Sequence, residues 1–169
     1  MDATGDDADN RPEGHRQPDE ARVGREPWLA DLAHVIARRS TCSRLQVGAI
    51  AVRHGQILAA GYNGAPAGLP HCVHTDGAVC TRAVHAEANV IASAAKYGVS
   101  LRGSEVYVTH SPCLSCAGLL VNAAISKVCY TTEFRDTSGI ELLEAAGVTV
   151  DNVMPTEYLF PQRLVQGLL

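Results

Sequence analysis

Two cysteines stand at a spacing that suits a shared partner atom. In "SPCLSC", Cys113 and Cys116 are three residues apart, behind Pro112 and at the head of an apolar run. A helix that begins here, with Ser111 as its cap and Pro112 in its first turn, places both sulfurs on one face. The partial positive charge at a helix N-terminus also favours thiolate over thiol. The two sulfurs can therefore reach one common atom.

Upstream, "HAEANV" adds a nitrogen ligand and a carboxylate, because His85 and Glu87 open a second expected helix that reaches about Tyr97. Zinc bound by one imidazole and two thiolates keeps a fourth position for water, as catalytic zinc sites do. Glu87 lies two positions after His85, so the two side chains do not share one face of the helix. The Glu87 carboxylate can instead lie beside that water and carry a proton. A redox pair and a closed structural finger are the other interpretations. The first lacks flanking aromatic residues here, and the second lacks another ligand pair.

The elements that must position these residues alternate between strands and helices. A first helix has Pro27 in its first turn, and the runs "VGAIAVRHG" and "QILAAGYNG" follow as a hairpin that turns at His54 and Gly55. After the helix at 85–97 come a strand at 105–109, a helix near 113, the strand "KVCYTT", a helix at 139–146 and the strand "VTVDN". This order predicts an α/β protein in three layers, α/β/α, with a mixed five-stranded sheet. Both ligand segments lie at strand–helix junctions, where such sheets bind ligands.

Composition and charge restrict the class of protein. The chain has 169 residues, 46% of them hydrophobic and 19% charged, which is ordinary for one globular domain. No apolar run reaches the ~18 residues of a membrane span, and the acidic N-terminus does not resemble a signal peptide, so we expect no membrane partner and a cytoplasmic protein with reduced cysteines. Residues 1–26 hold eight acids and four arginines, which equals the net charge of −4 of the whole chain. The neutral remainder disfavours a nucleic-acid polymer as partner.

The chain divides into a tail and one domain. Residues 1–25 are rich in Asp, Gly, Pro and Arg and have almost nothing to bury, so we predict a disordered acidic N-terminal tail. Residues 26–169 are expected to form a single catalytic domain. Residues 62–83 form a long loop without periodicity, and loops of that length tend to be functional. The C-terminal segment 155–169 is expected to be partly helical and amphipathic.

Several motifs together resemble the deoxycytidylate (dCMP) deaminase family of the zinc-dependent cytidine and deoxycytidylate deaminases. They are "RSTC", "SRLQVGAIAV", "GYNGAPAGLPHC", "HAEANVI", "THSPCLSC" and "CYTTEFRD", and His-x-Glu followed by Pro-Cys-x-x-Cys is the general signature of zinc deaminases. The resemblance covers residues 28–150 and implies a cytidine deaminase-like fold. It also implies hydrolysis of dCMP to dUMP and ammonia. In that reaction His85, Cys113 and Cys116 would hold Zn²⁺, and Glu87 would move a proton to N3 of cytosine.

The resemblance also implies which residues bind the nucleotide. The backbone N–H of Ala86 would hold the edge of the base. Asn63 would contact the sugar, although Asn-Gly is equally a turn signal. Phe134 and Arg135 would close over the nucleotide, with Arg135 as the candidate for the 5′-phosphate because a guanidinium binds phosphate oxygens in pairs. Arg44 is a second candidate for the phosphate, and the alternative for either arginine is a solvated surface charge.

Further expectations concern a second metal and regulation. Members of the family often carry a structural zinc near the long loop, for which the candidate ligands are Cys42, Cys72 and Cys80 with His71 or His74. These cysteines could equally be small buried hydrophobes. The family also forms homo-oligomers, from dimer to hexamer, and is often activated by dCTP and inhibited by dTTP.

Two other functions remain open. The first is deamination of another base, such as that of a nucleoside, a modified dCMP or a tRNA adenosine. The second is a catalytically silent zinc-binding nucleotide sensor. The presence of Glu87 speaks against the sensor, because a structural zinc does not need a buried carboxylate beside it.

Overall fold

A computed structural model describes residues 23–72 and 82–156 of the chain. Of the predicted tail, residues 1–25, the first 22 lie outside the described residues, and Arg25 already belongs to a helix. Most of the C-terminal segment predicted to be partly helical (residues 157–169) also lies outside the described residues. The described part contains four α-helices and five strands, in the order α1 Arg25–Ala37, β1 Gly48–Arg53, β2 Gln56–Tyr62, α2 Ala86–Lys96, β3 Glu105–His110, α3 Leu114–Asn122, β4 Lys127–Thr132, α4 Ser138–Ala145 and β5 Thr149–Asn152.

The strands form one mixed sheet in the order β2-β1-β3-β4-β5. β1 runs antiparallel to β2 and β3, whereas β3, β4 and β5 run parallel to one another. The hairpin turns at His54 and Gly55, whose φ angles of 50° and 73° are both positive, as a tight two-residue hairpin loop requires. The mixed five-stranded sheet predicted from the sequence is confirmed.

Helices cover both faces of the sheet, which confirms the α/β/α layers. On one face, α1 packs against β1 and β3 around Leu29 and Tyr107. On the other face lie α2, α3 and α4, with Val90, Leu120 and Leu143 buried against the sheet. β1 and β3 are covered from both sides, so their sequences are continuous apolar runs rather than alternating ones. No described helix has the length and apolar character needed to span a bilayer.

The topology brings four segments to one edge of the sheet. β2, β3 and β4 end at this edge and the antiparallel β1 begins there, as the pairs Gly48–Tyr62 and His110–Thr132 show. The chain leaves β3 at this edge and reaches Cys113 within three residues. Because ligands of such sheets bind at the carboxyl ends of the parallel strands, this edge is where a site is expected.

Candidate active site

Three side chains that can bind a metal meet where α2 and α3 begin. His85 precedes α2, Cys113 precedes α3, and Cys116 lies in the first turn of α3. The Nδ1 atom of His85 lies 3.5 Å from the Sγ atom of Cys113 and 3.5 Å from that of Cys116. All three donor atoms lie within 4.8 Å of one another. The fold thus brings together the three residues that the sequence singled out.

The geometry of this group fits zinc. A tetrahedral zinc ion, with bonds of about 2.05 Å to nitrogen and 2.3 Å to sulfur, places these two kinds of donor about 3.6 Å apart. The two N···S distances of 3.5 Å match that separation. Within residues 23–72 and 82–156 the group has three members. A tetrahedral ion held here would therefore have one position for a ligand from outside the protein, as in catalytic zinc sites.

The two thiols differ in acidity. Hydrogen bonds from Cys116 and His85 lower the pKa of Cys113, which favours its thiolate form. The hydrogen bond to Cys113 and burial raise the pKa of Cys116. Metal ligands must be deprotonated, and a bound cation stabilises the second thiolate. Metal binding at this pair is therefore expected to release protons.

Glu87 lies in the first turn of α2 and is only 4% exposed. Burial raises the pKa of its carboxyl group, and a backbone hydrogen bond, the charge of His85 and a hydrogen bond with Cys116 oppose that shift. The carboxylate does not belong to the group of donors that lie within 4.8 Å of one another. A carboxylate in this position could exchange protons beside an ion held by the three donors. Ala86, between His85 and Glu87, is fully buried at the start of α2.

The prediction that Ser111 caps α3 is wrong. The helix begins at Leu114 with Cys113 in the cap position, and no side chain caps it. The hydroxyl oxygen of Ser111 instead accepts a hydrogen bond of 2.8 Å from the backbone N–H of Phe134. The backbone N–H of Ser111 also donates to the carbonyl of Thr132 at 2.9 Å. Ser111 therefore connects the cysteine-bearing segment, residues 111–116, to the loop between β4 and α4.

That loop carries the predicted aromatic–arginine pair. Phe134 and Arg135 are both exposed, and the guanidinium carbon of Arg135 lies 5.9 Å from the centre of the Phe134 ring. This distance is within the range of a cation–π interaction. Through the bond to Ser111, the pair is held next to the cysteine-bearing segment, with both side chains open to solvent.

Asn63, buried directly after β2, organises the segment 40–47. Its Oδ1 atom accepts hydrogen bonds from the Ser40 hydroxyl at 2.6 Å and the Val47 backbone N–H at 2.8 Å. Its Nδ2 atom donates to the Leu45 carbonyl at 2.8 Å. The sequence did not predict this role, because the bonds join residues that lie 16 to 23 positions apart. Arg44 is exposed within the segment that Asn63 holds.

The candidate residues for a second metal are only partly within the described chain. Cys42 is buried, Cys72 is half-buried and His71 is exposed, whereas His74 and Cys80 lie outside the described residues. The three residues that are described do not by themselves form a donor group within 4.8 Å. The second zinc therefore stays a prediction.

Another set of possible metal donors, Glu26, Cys129 and Asp151, meets at the opposite edge of the sheet. The ammonium group of Lys127 lies 2.6 Å from a carboxylate oxygen of Glu26 and 2.7 Å from one of Asp151. The protein thus supplies its own cation at this place. The group is an ion-pair cluster that joins α1 to β4 and β5.

Known proteins resemble this chain in sequence and in structure. Residues 25–132 match the family model of the cytidine and deoxycytidylate deaminase zinc-binding region. The chain is 41% identical over 138 residues to ComE operon protein 2 of Bacillus subtilis. The aligned region covers 78% of this chain and 72% of that protein. It is 29% identical over 153 residues to the deoxycytidylate deaminase of Schizosaccharomyces pombe, covering 83% of this chain and 47% of the relative, so it spans about half the length of that protein.

A solved structure extends the likeness to the whole fold. The crystal structure of dCMP deaminase from the cyanophage S-TIM5, in complex with dCMP and dUMP, superposes with a TM-score of 0.71 at 37% sequence identity. The superposition covers 82% of this chain and 100% of the phage chain. The family model itself spans more than half of the chain and contains His85, Glu87, Cys113 and Cys116. The chain belongs to the family of cytidine and deoxycytidylate deaminases.

Proposed function

We propose that this protein is a zinc-dependent enzyme that hydrolyses dCMP to dUMP and ammonia. The observation that carries the proposal is the buried carboxylate of Glu87 beside a group of three donors whose N···S distances of 3.5 Å suit zinc. A purely structural zinc site has no use for a desolvated carboxylate next to it. The choice of dCMP is supported by the similar phage enzyme, whose crystal structure contains dCMP and dUMP.

The chemistry divides between the metal and Glu87. Zinc held by His85, Cys113 and Cys116 would supply a Lewis acid that lowers the pKa of a coordinated water to ~7. Glu87 accepts a proton from the attacking water and delivers it to N3 of the cytosine ring. The same carboxyl group then mediates protonation of the amino group as it leaves. One C–O bond forms at C4 and one C–N bond breaks, so water is consumed and ammonia is released.

The base, the sugar and the phosphate of the nucleotide are each assigned to a residue near the metal donors. The backbone N–H of Ala86 holds the edge of the base. Asn63 contacts the sugar through its second amide N–H, which bonds no residue in the described part of the chain. Arg135, beside the Phe134 ring, binds the 5′-phosphate through paired hydrogen bonds. Arg44 is a second candidate for the phosphate because it is exposed in the segment that Asn63 holds.

Substitution of Glu87 tests the reaction itself. Glu87→Ala is expected to retain zinc and to lower kcat for dCMP by about 10²- to 10⁴-fold, because the proton carrier is removed while the donors remain. The measurements are ammonia release and the zinc content of the purified protein. Glu105→Ala is the control, since it removes a carboxylate that pairs with Arg25 at the opposite edge of the sheet. Full turnover by Glu87→Ala would refute the mechanism.

Substitution of Arg135 tests the preference for a nucleotide. Arg135→Ala is expected to raise KM for dCMP by about 10- to 100-fold, which corresponds to a charge-assisted hydrogen bond of ~1.5–3 kcal/mol. KM for deoxycytidine should not change, because the nucleoside lacks the phosphate. Arg102→Ala, which removes an exposed arginine between α2 and β3, is the control. Equal effects on dCMP and deoxycytidine would show that Arg135 does not bind the phosphate.

A panel of substrates separates the proposed reaction from its alternatives. Ammonia release should be fastest with dCMP among dCMP, dCTP, deoxycytidine and CMP. A faster reaction with a nucleoside or a tRNA would assign the site to another base deaminase. Absence of turnover from every substrate, with zinc bound, would indicate a nucleotide sensor.

We further propose that residues 26–169 act as one catalytic domain, in the cytoplasm and as a homo-oligomer that responds to dCTP and dTTP. The support for oligomers and effectors is the family resemblance. The measurements are the mass of the protein in solution, and dCMP turnover with each triphosphate added. Activation by dCTP and inhibition by dTTP are the expected results.

A second, structural zinc is proposed at the long loop, with ligands from Cys42, Cys72 and Cys80 and from His71 or His74. The support is that thiolates and imidazoles are preferred zinc ligands and that His71, Cys72, His74 and Cys80 all lie within residues 62–83, the predicted loop. Metal analysis is expected to find two zinc ions per chain in the wild type. Cys80→Ser should reduce the content to one without loss of the ion at the active site.

A further inference from the structure

α4 packs against the cysteine-bearing segment through a glycine. Gly139 is buried in the first turn of α4, and a Cβ atom there would overlap the carbonyl oxygen of Pro112 and lie 2.9 Å from the carbonyl carbon of Cys113. Non-bonded carbon atoms pack at about 3.5–4.0 Å, so only glycine lets the two backbones approach this closely. The segment in contact is the one that carries the ligand Cys113.

β2 also packs through a glycine, in this case against the start of α2, next to His85. A Cβ atom at Gly61 would lie 2.6 Å from the carbonyl oxygen of Ala86, in the first turn of α2. The contact is held by Asn89, whose side-chain N–H donates a hydrogen bond of 2.7 Å to the carbonyl of Tyr62. Ala86 directly follows the ligand His85, so the position of β2 bears on the position of that ligand.

We propose that Gly61 and Gly139 are positioning residues of the zinc centre: each lets a neighbouring element press directly on the backbone of one ligand segment and thereby sets where its donor lies. The inference rests on the proposed zinc site. The two contacts act on the two sides of the donor group, one behind His85 and one behind Cys113. Together they fix the separation of the nitrogen from the sulfur of Cys113, which is 3.5 Å.

The size of the displacement explains why a single methyl group matters. To reach an ordinary contact, a methyl at Gly61 must move the Ala86 carbonyl by roughly half an ångström or more, and the overlap at Gly139 requires a larger shift. Zinc–ligand distances tolerate only about 0.2 Å. Residues that orient metal ligands without touching the metal typically change its affinity by about 10- to 100-fold.

Two other glycines provide matched controls. A Cβ atom at Gly48 would overlap the carbonyl of Ala33 and lie 2.8 Å from the Cα atom of Ala37, so the crowding is comparable, but both partners belong to α1 on the opposite face of the sheet. Gly118 lies within α3, between the ligand Cys116 and the end of the helix, and a Cβ atom there would meet no atom within 4 Å.

The experiment compares the Ala variants of these four glycines in the full chain. Zinc affinity is measured by competition with a chelator, and the geometry of the site by the visible absorption of the Co²⁺-substituted protein. Thermal unfolding at several zinc concentrations gives a second measure of affinity, because a ligand of the native state raises Tm. We expect Gly61→Ala and Gly139→Ala to weaken zinc binding by about 10- to 100-fold and to change the Co²⁺ spectrum.

Gly48→Ala should lower Tm but keep the affinity and the spectrum of the wild type. Gly118→Ala should keep the affinity and the spectrum and raise Tm slightly, because alanine is the better helix former. Wild-type affinity and spectrum in Gly61→Ala would overturn the inference, as would an equal loss of affinity in Gly48→Ala. The smaller overlap at Gly61 keeps this test decisive if Gly139→Ala does not fold. Because the readouts are metal affinity and geometry, failure of this inference is distinguishable from failure of the proposed function, which would appear as zinc binding without turnover of dCMP.

Discussion

Removal of one hydroxyl group, in Ser111→Ala, should weaken binding of the phosphate without touching the metal or the base. The Ser111 hydroxyl accepts the hydrogen bond of 2.8 Å from the backbone N–H of Phe134. This bond links the cysteine-bearing segment to the loop that presents Arg135. Without it, Ser111 keeps its backbone bond to Thr132, which is the last residue of β4 and not part of the loop.

The expected magnitude follows from the exposure of the loop. A hydrogen bond within a protein contributes about 1 kcal/mol net, and a buried donor left without a partner costs ~1–3 kcal/mol. Phe134 is 38% exposed, so water can partly replace the lost acceptor and the lower value applies. About 1 kcal/mol corresponds to a factor of roughly 5 in an equilibrium constant. We therefore expect KM for dCMP to rise about fivefold.

The assay compares two substrates and two serines. Ser111→Ala should leave KM for deoxycytidine unchanged, because the nucleoside does not use Arg135. Ser126→Ala is the control, since the Ser126 hydroxyl donates to the carbonyls of Gly103 and Ser104 at the opposite edge of the sheet. Either an equal rise of KM for both substrates or a rise of the same size in Ser126→Ala would refute the reasoning.

Two further predictions concern stability. The hydroxyl oxygen of Ser104 is buried and has no hydrogen-bond partner among the described residues, so Ser104→Ala should stabilise the fold by about 1 kcal/mol, which a rise of ~2–4 °C in Tm would show and a fall would contradict. Burial lowers the pKa of His34 and of His110. As the pH falls below about 6.5, the unfolded chain therefore binds protons before the folded protein does. The free energy of unfolding should then decrease by up to ~1.4 kcal/mol per pH unit for each histidine. Unfolding measured from pH 7.5 to 5.5 should show a smaller loss in the double variant His34→Gln/His110→Gln, and an unchanged loss would refute the assignment.

Local signals in the sequence were sufficient for the elements and for the three possible metal donors that the fold brings together. The run "KVCYTT" was predicted as a strand, and β4 is Lys127–Thr132. The hairpin turn was expected at His54 and Gly55, and these residues have the positive φ angles. In both cases the determinant lies within a few neighbouring residues, either an apolar β-rich run or a turn that requires a left-handed backbone.

Contacts between distant residues account for what the sequence did not predict. A serine before Pro-Cys is a plausible helix cap by local rules, but Ser111 bonds to Phe134, 23 positions further along the chain. The close approaches at Gly61 and Gly139 depend on where α2 and α4 lie, which no local pattern specifies. Neither glycine has a positive φ, so turn chemistry offered no signal for them.

The two kinds of determinant have different consequences for function. The motifs supply three possible metal donors and a carboxylate, and in the proposed function these activate water for attack on a ring carbon. They do not determine what else is attached to that ring. In the proposed function, recognition of the sugar and phosphate depends on Asn63 and on the loop with Arg135, and each is held in place by hydrogen bonds to a distant segment. A change in those bonds can therefore alter the preferred nucleotide while the motif stays intact, and the motif alone assigns the chemistry but not the substrate.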